Sequence, residues 1–185
     1  MSRSSKNKFI IGMAARMTKD KRQDLIIDMV YSYKNFFAKK NIFFSLIGIG
    51  ETLKNHQRHV LENSLEKIIS MPGYLDEKKI ITWFKNLDIY IHISDDEATS
   101  TSILQAMSMS LPIICSDADG NKMLNKNNNL LIVQNNKNKI FTKLKYLLND
   151  QKLRKKMGEN SRKIVETQYN AKHLFDKYLK FIFDR

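Results

Sequence analysis

Residues 87–107, LDIYIHISDDEATSTSILQAM, pass in one stretch from an apolar run, through a polar acidic loop, into a second apolar pattern. Asp88 to Ile93 is β-branched and aromatic, as a buried strand requires. Ser102 to Ser108 carries its apolar residues at helical spacing. The strand thus hands over to a short helix through Ser94–Thr101, and a strand–loop–helix unit of this length is the building block of a parallel sheet.

The same alternation extends in both directions. Upstream, Phe9–Ala14 reads as a strand and Ala15–Lys21 as a polar loop. Gln23–Lys39 reads as one helix, with Leu25, Ile26, Met29, Val30, Tyr33 and Phe37 recurring at spacings of three and four. Ile42–Ile47 is a second buried strand closed by Gly48-Ile49-Gly50. Thr52–Asn63 is a surface helix, Ile68–Met71 a weaker strand ending at Pro72-Gly73, and Asp76 caps a helix reaching about Asn86. Downstream, Pro112–Ser116 and Leu130–Val133 are strands, and Asn138–Leu148, Gln151–Thr167 and Ala171–Phe183 are helices. The expected fold is α/β, a Rossmann-like parallel sheet with helices on both faces linked by right-handed crossovers. Ligands bind such sheets beyond the carboxyl ends of the strands, which singles out the loops Ala15–Lys21, Gly48–Glu51, Pro72–Leu75, Ser94–Thr101 and Asp117–Met123.

Composition bounds the function. The 185 residues suffice for one ordinary domain, and 42% hydrophobic content with 10% aromatics excludes a disordered chain. No apolar run approaches the ~20 residues of a membrane span, the polar start Met1–Lys8 is no secretory signal, and one cysteine, Cys115, fits a reducing, cytoplasmic setting. The net charge of +13 is concentrated at the C-terminal end, where residues 137–185 hold 14 basic and 5 acidic side chains. Such a surface suits peripheral contact with an anionic membrane, although solvated lysines on helix faces explain it more simply. Nucleic acid is not an expected partner, because arginine clusters and interleaved aromatics are missing. With six glycines and seven arginines in the chain, each one that remains merits inspection.

Three loops offer chemistry. Arg16 and Lys21 converge beyond the first strand and suit a diphosphate at a helix N-terminus. Gly48 and Gly50 permit close approach of a ligand to backbone, but Leu53 stands where the dinucleotide fingerprint needs a third glycine. Glu97 lies at the mouth of the sheet and Gln105 one turn into the helix, a pair able to hold two polyols, while backbone N–H groups of Ser100, Thr101 and Ser102 face a phosphate position. Consecutive Asp95-Asp96-Glu97 rarely converge on one ion and no histidine cluster supports them, so no metal is expected. Asp117-Ala118-Asp119 reads as a turn. His56, His59, His92 and His173 show no metal spacing and no nucleophile partner, and Cys115 reads as a small core residue.

Taken in order, these segments resemble the C-terminal, donor-binding domain of retaining GT-B glycosyltransferases (glycosyl transferases group 1, family 4). The matching residues are Ile11–Arg16 with Lys21 and Gln23–Ile26, Leu46–Glu51, Gly73–Leu75, Leu87–Ser94, Glu97 through Met107, Leu111–Ser116 and Leu130–Val133. The resemblance spans residues 9–183 as one domain and implies half of a GT-B fold, the acceptor-binding domain being supplied in cis or by a second subunit. A two-subunit N-acetylglucosaminyltransferase of the endoplasmic reticulum has a related arrangement. It further implies transfer of a sugar from a nucleotide-diphosphate sugar to a saccharide or lipid-linked acceptor, with retention and without cofactor or metal, in surface polysaccharide synthesis. Arg16 and Lys21 would then neutralise the diphosphate, Glu97 hold the sugar, Gln105 the ribose, the Ser100–Ser102 backbone the distal phosphate, and Gly73, Tyr74 and Leu75 the base. Three positions and one segment depart from the family. Gln105 replaces Glu, Ala98–Thr101 lacks the usual glycines, Arg22 replaces Gly after the lysine, and Ser110 replaces Gly before Leu111-Pro112. These departures keep open the alternative of a non-catalytic nucleotide-sugar-binding or scaffolding subunit.

Overall fold

The computed structural model describes residues 8–170. The strands are β1 (Phe9–Ala14), β2 (Ile42–Ile47), β3 (Ile69–Gly73), β4 (Ile89–His92), β5 (Ile113–Ser116) and β6 (Leu130–Val133). The helices are α1 (Gln23–Ser32), α2 (Lys34–Lys39), α3 (Leu53–Glu62), α4 (Glu77–Asn86), α5 (Thr101–Ser108), α6 (Asp119–Leu124), α7 (Lys137–Asn149) and α8 (Gln151–Gln168). The helix expected over Ala171–Phe183 lies outside the described residues.

All pairings among the six strands are parallel, in the order β3-β2-β1-β4-β5-β6. The strand order reverses between β1 and β4, and there the loops after the two strands diverge to opposite faces and leave a crevice. Alternate strand residues enter two cores. Ile11, Met13, Ile89, Ile91 and Ile93 pack with α1, α3 and α7, through Ile26, Met29, Val60 and Leu144. Tyr90, Ile113 and Cys115 face the other way, against Phe84 of α4, Ile103 and Met107 of α5, and Leu124 of α6. Burial holds the Cys115 thiol well above the ordinary thiol range, as an inert core residue requires. His92 follows Tyr90 by two residues and so projects from the same side of β4.

Three segments differ from the sequence reading. The single helix expected over Gln23–Lys39 breaks at Tyr33 into α1 and α2. The break lets the Tyr33 ring stack on Phe141 at 3.6 Å and donate its hydroxyl to Asn138 of α7, while Phe37 turns inward onto Phe44 of β2. Tertiary aromatic packing outweighs helix continuity here. The third strand runs on through Pro72, tolerated because β3 is an edge strand and its missing N–H serves no ladder. Asp117–Asp119 is more than a turn, since Asp119 opens α6.

Candidate functional site

The loop after β1 is fastened from several directions. The N–H groups of Ala15 and Met17 donate to the carbonyls of Ile47 and Ile49, Thr52 N–H donates to Met17, and the buried Gln23 amide donates to the Arg16 carbonyl at 2.8 Å. The backbone at Arg16 is therefore fixed while its guanidinium stands exposed. Gly48 makes this possible. At φ +134°, with the Ala15 carbonyl oxygen 1.8 Å from where a Cβ would lie, only glycine fits. The glycine pair thus serves the approach of the protein's own first loop. Gly48 still lines the crevice, whereas Gly50 backs onto the Met17 carbonyl.

A groove of about 460 Å³ opens between the carboxyl ends of β1, β2 and β3 and the start of α5. Arg16, Gly48, Tyr74, Leu75, Thr101, Ser102 and Gln105 line it together with Ala14, Ile47 and Ile49. Seven residues singled out from sequence are thereby brought to one wall. Tyr74 is 70% exposed at its rim and Gln105 is exposed on the helix side. Gly73 lies behind, its carbonyl accepting the N–H of Gly48 at 2.8 Å.

Glu97 and Lys21 lie beside this groove and engage each other. Lys21 Nζ is 2.7 Å from Glu97 Oε2 and 3.5 Å from Asp20. Two side chains expected to hold different groups of a ligand are thus ion-paired with each other. His92 joins the pair. That histidine has a partner, its Nε2 standing 3.0 Å from the same Glu97 oxygen with only 2% of its side chain exposed. Hydrogen bonding from His92, joined by Lys21, holds the Glu97 carboxyl down at about 2, against the desolvation that opposes it.

The network continues behind His92. Its Nδ1 is 3.4 Å from the hydroxyl of Tyr90, which accepts the N–H of Ala14 and stands 2.8 Å from Ser102 Oγ and 3.1 Å from the Ala14 carbonyl. Complete burial pushes the Tyr90 phenol far above its usual range, so it stays protonated and supplies one proton to these acceptors. Ser102 Oγ lies 3.0 Å from Ser100 Oγ, and Ser100 caps α5 by accepting from Ile103 N–H. The Ser100 side chain thereby occupies one of the orphan donors of the α5 N-terminus.

The acidic loop does not gather on one point. Asp95 accepts from Arg22 at 2.8 Å and from Asn135, Asp96 accepts the Glu97 N–H, and Glu97 turns to His92 and Lys21. Among the described residues no group of three His, Cys, Asp or Glu side chains is placed to hold a metal ion. Arg22, at left-handed φ 45°, bridges Asp24 and Asp95 and so staples the first loop to the third. Ser110 is also left-handed, at φ 56°. Arg22 and Ser110, two of the positions where the family resemblance expects glycine, therefore keep the backbone that glycine favours, whereas Ala98–Thr101 does not. Gly120 donates its N–H to the Glu97 carbonyl at 2.8 Å, and a Cβ there would lie 2.2 Å from that oxygen. His92, Tyr90, Gly120 and the Arg22 staple were missed as site residues. The scarcity of glycine and arginine was the one signal that pointed to Gly120 and Arg22.

A doubly wound parallel sheet with a crevice at its switch point defines the Rossmann-like class. Within that class the chain belongs to the glycosyl transferases group 1 family, whose model matches residues 2–164. It is 30% identical over 183 residues to the uncharacterized glycosyltransferase MJ1069 of Methanocaldococcus jannaschii, covering 97% of this chain and 46% of that one. It is 23% identical over 180 residues to the capsular polysaccharide biosynthesis glycosyltransferase CapM of Staphylococcus aureus, covering 91% and 44%. The crystal structure of Anabaena Alr3699/HepE in complex with UDP and glucose superposes with a TM-score of 0.84 at 16% identity, over 97% of this chain and 49% of that chain. The fold is thus one half of the GT-B architecture, and the chain spans just under half the length of each of these two curated relatives. Among the described residues no helix is long and apolar enough to cross a membrane.

Proposed function

We propose that this domain is the donor half of a retaining glycosyltransferase, which passes a sugar from a nucleotide-diphosphate sugar to a saccharide or lipid-linked acceptor held by an acceptor-binding domain or subunit. The observation that carries the reading is a groove lined by Arg16, Gln105 and the start of α5, with the Lys21–Glu97 pair on the adjoining loops. Arg16 and Lys21 supply positive charge where a diphosphate leaving group accumulates negative charge. The backbone N–H groups at Ser100–Ser102 add the field of a helix N-terminus for the distal phosphate. Gln105 bonds ribose hydroxyls, Tyr74 and Leu75 beside Gly73 offer a flat apolar surface for the base, and Glu97 accepts from hydroxyls of the transferred sugar. Every step is binding, orientation and electrostatics by these side chains, with no cofactor or metal in the scheme.

A diphosphate competes with Glu97 for Lys21, so donor binding weakens one ion pair as it forms another. Capsular polysaccharide synthesis by CapM supports surface polysaccharide as the product class. The basic faces of α7 and α8 suit peripheral contact with an anionic leaflet, in keeping with a cytoplasmic enzyme acting on a lipid-linked acceptor. A second reading, a non-catalytic nucleotide-sugar-binding or scaffolding subunit, draws on Gln105 and on the mutual neutralisation of Lys21 and Glu97.

Calorimetric titration with UDP, GDP and ADP, and then with their sugar conjugates, tests the proposal. One nucleotide binds, and Arg16→Ala weakens it about tenfold or more, as loss of a charge-assisted contact does. Absence of binding by all of them, or binding indifferent to Arg16, would sink the donor-site reading. Transfer by the chain with its acceptor half, abolished in Glu97→Ala, separates the enzyme from the scaffold.

A further inference from the structure

Both donors to Glu97 converge on the same oxygen. Lys21 Nζ and His92 Nε2 stand 2.7 and 3.0 Å from Oε2, and neither uses Oε1. The two donors differ in how they are held. Lys21 sits on the short 3-10 turn Lys19–Lys21, at the end of a flexible four-carbon stem, and also pairs with Asp20. His92 projects from the last residue of β4, 2% exposed, with its ring nearly parallel to that of Tyr90 (20° between planes) and its Nδ1 facing the Tyr90 hydroxyl. Tyr90 is in turn tied to Ala14 of β1 and to Ser102 of α5. Swinging His92 away from Glu97 would move a buried ring against two strands and a helix. Swinging Lys21 away parts it from Glu97 and Asp20 and turns a flexible stem that is 12% exposed, but it moves no ring and no strand.

We propose that His92 is a positioning residue for the donor sugar, which keeps Glu97 ionised and its Oε1 presented to the sugar hydroxyls after Lys21 has transferred to the diphosphate. This inference rests on the donor-site reading of Glu97. On that reading the phosphates compete with the carboxylate for Lys21, so an enzyme relying on Lys21 alone would loosen Glu97 at the moment the sugar arrives. A partner anchored in the sheet removes that conflict. The remaining charged and titratable groups around Glu97 are Asp20 on the first loop, Asp95 and Asp96 on its own loop, and Tyr90 on β4. Asp95 is engaged by Arg22, Asp96 by the Glu97 N–H, and the Tyr90 hydroxyl lies on the far side of His92, beside Nδ1, so His92 is the buried donor that Glu97 retains.

The test reads Glu97 directly and then the sugar. Carbon-detected titration of the Glu97 carboxyl in the full chain follows its protonation in wild type, His92→Leu and His92→Gln. The leucine variant raises the carboxyl by about one pH unit or more toward its ordinary value, and the glutamine variant, whose amide still donates, keeps it low. Calorimetry then compares UDP, GDP and ADP with their glucose and N-acetylglucosamine conjugates. In His92→Leu the bare nucleotide binds within about twofold of wild type while the gain from the sugar falls about tenfold, and His92→Gln restores that gain. A damaged fold would weaken nucleotide and conjugate alike and would not be repaired by glutamine. An unchanged Glu97 titration in His92→Leu, or equal loss for nucleotide and conjugate, overturns the proposal. A wild-type chain that gains nothing from the sugar, or a Glu97→Ala chain that gains as much as wild type, overturns the donor-site reading first and the role of His92 with it.

Discussion

The two ends of the crevice are built on different principles. Around Glu97 nearly every polar group is engaged by another part of the protein: Lys21 and His92 on the carboxylate, Arg22 on Asp95, Gly120 on the Glu97 carbonyl. Along the groove the side chains are exposed and mostly apolar, with Ile49 57% and Tyr74 70% open to solvent and Gln105 exposed opposite them. A carboxylate that must meet particular hydroxyls needs a fixed position, which hydrogen bonds from rigid strands provide. A flat base needs surface and tolerates small displacements. The difference locates precision at the Glu97 end and adaptability at the Tyr74 end.

The sharpest way to break this contrast is to neutralise the charged end. Glu97→Gln preserves shape and removes charge, and transfer by the chain with an acceptor half falls by about 10²–10³-fold, comparable to losing one preorganised electrostatic contact. An equal loss from Tyr74→Ala, measured in the same assay, would erase the distinction. Next in size is Gly48→Ala. Its left-handed φ and the Ala15 carbonyl in the place of a Cβ make it cost about 2–4 kcal/mol by denaturant unfolding, and the first loop moves with it.

Acid sharpens the comparison further. Glu97 is depressed in the folded state from 4.5 to about 2, so its contribution is present above pH 4.5 and is lost as pH falls through about 2. That shift is equivalent to about 3 kcal/mol at full value, and solvent screening at the loop trims it to roughly 2. Unfolding free energies measured from pH 6 to pH 2 should therefore fall more steeply in wild type than in Glu97→Gln. The smallest effect lies outside the crevice. Ser110→Gly relieves a left-handed serine and stabilises by about 0.5–1 kcal/mol with donor binding unchanged, as thermal unfolding and calorimetry will read.

Much of this was legible in one dimension. Strand and helix periodicity over residues 9–133 placed all six strands, and the rule that parallel sheets bind at their carboxyl ends selected the loops that hold Arg16, Lys21 and Glu97, the last leading into the helix that carries Gln105. The glycines at 48, 50 and 73 stood out at loop positions, and the ordered motifs pointed to one half of a GT-B fold. Those features are local, set by residues within a few positions of one another. The helix break at Tyr33 was not legible, because its cause is a ring on α7 more than a hundred residues away. Nor was the helical start at Asp119.

The sequence by itself therefore determined the alternation of strands and helices, the loops that carry charge, and the residue types available to a nucleotide-sugar. The tertiary structure decided which of those residues meet. Lys21 and Glu97 are 76 positions apart and become ion-paired only because β4 lies directly beside β1, a neighbourhood set by crossover packing on both faces. His92 becomes the partner of Glu97 only because alternation along β4 turns it to the α5 side, where the loop folds back over it. Periodicity is a property of the local backbone, whereas hydrogen-bond partners are fixed by which strands are adjacent, and adjacency is settled by burial of the whole core.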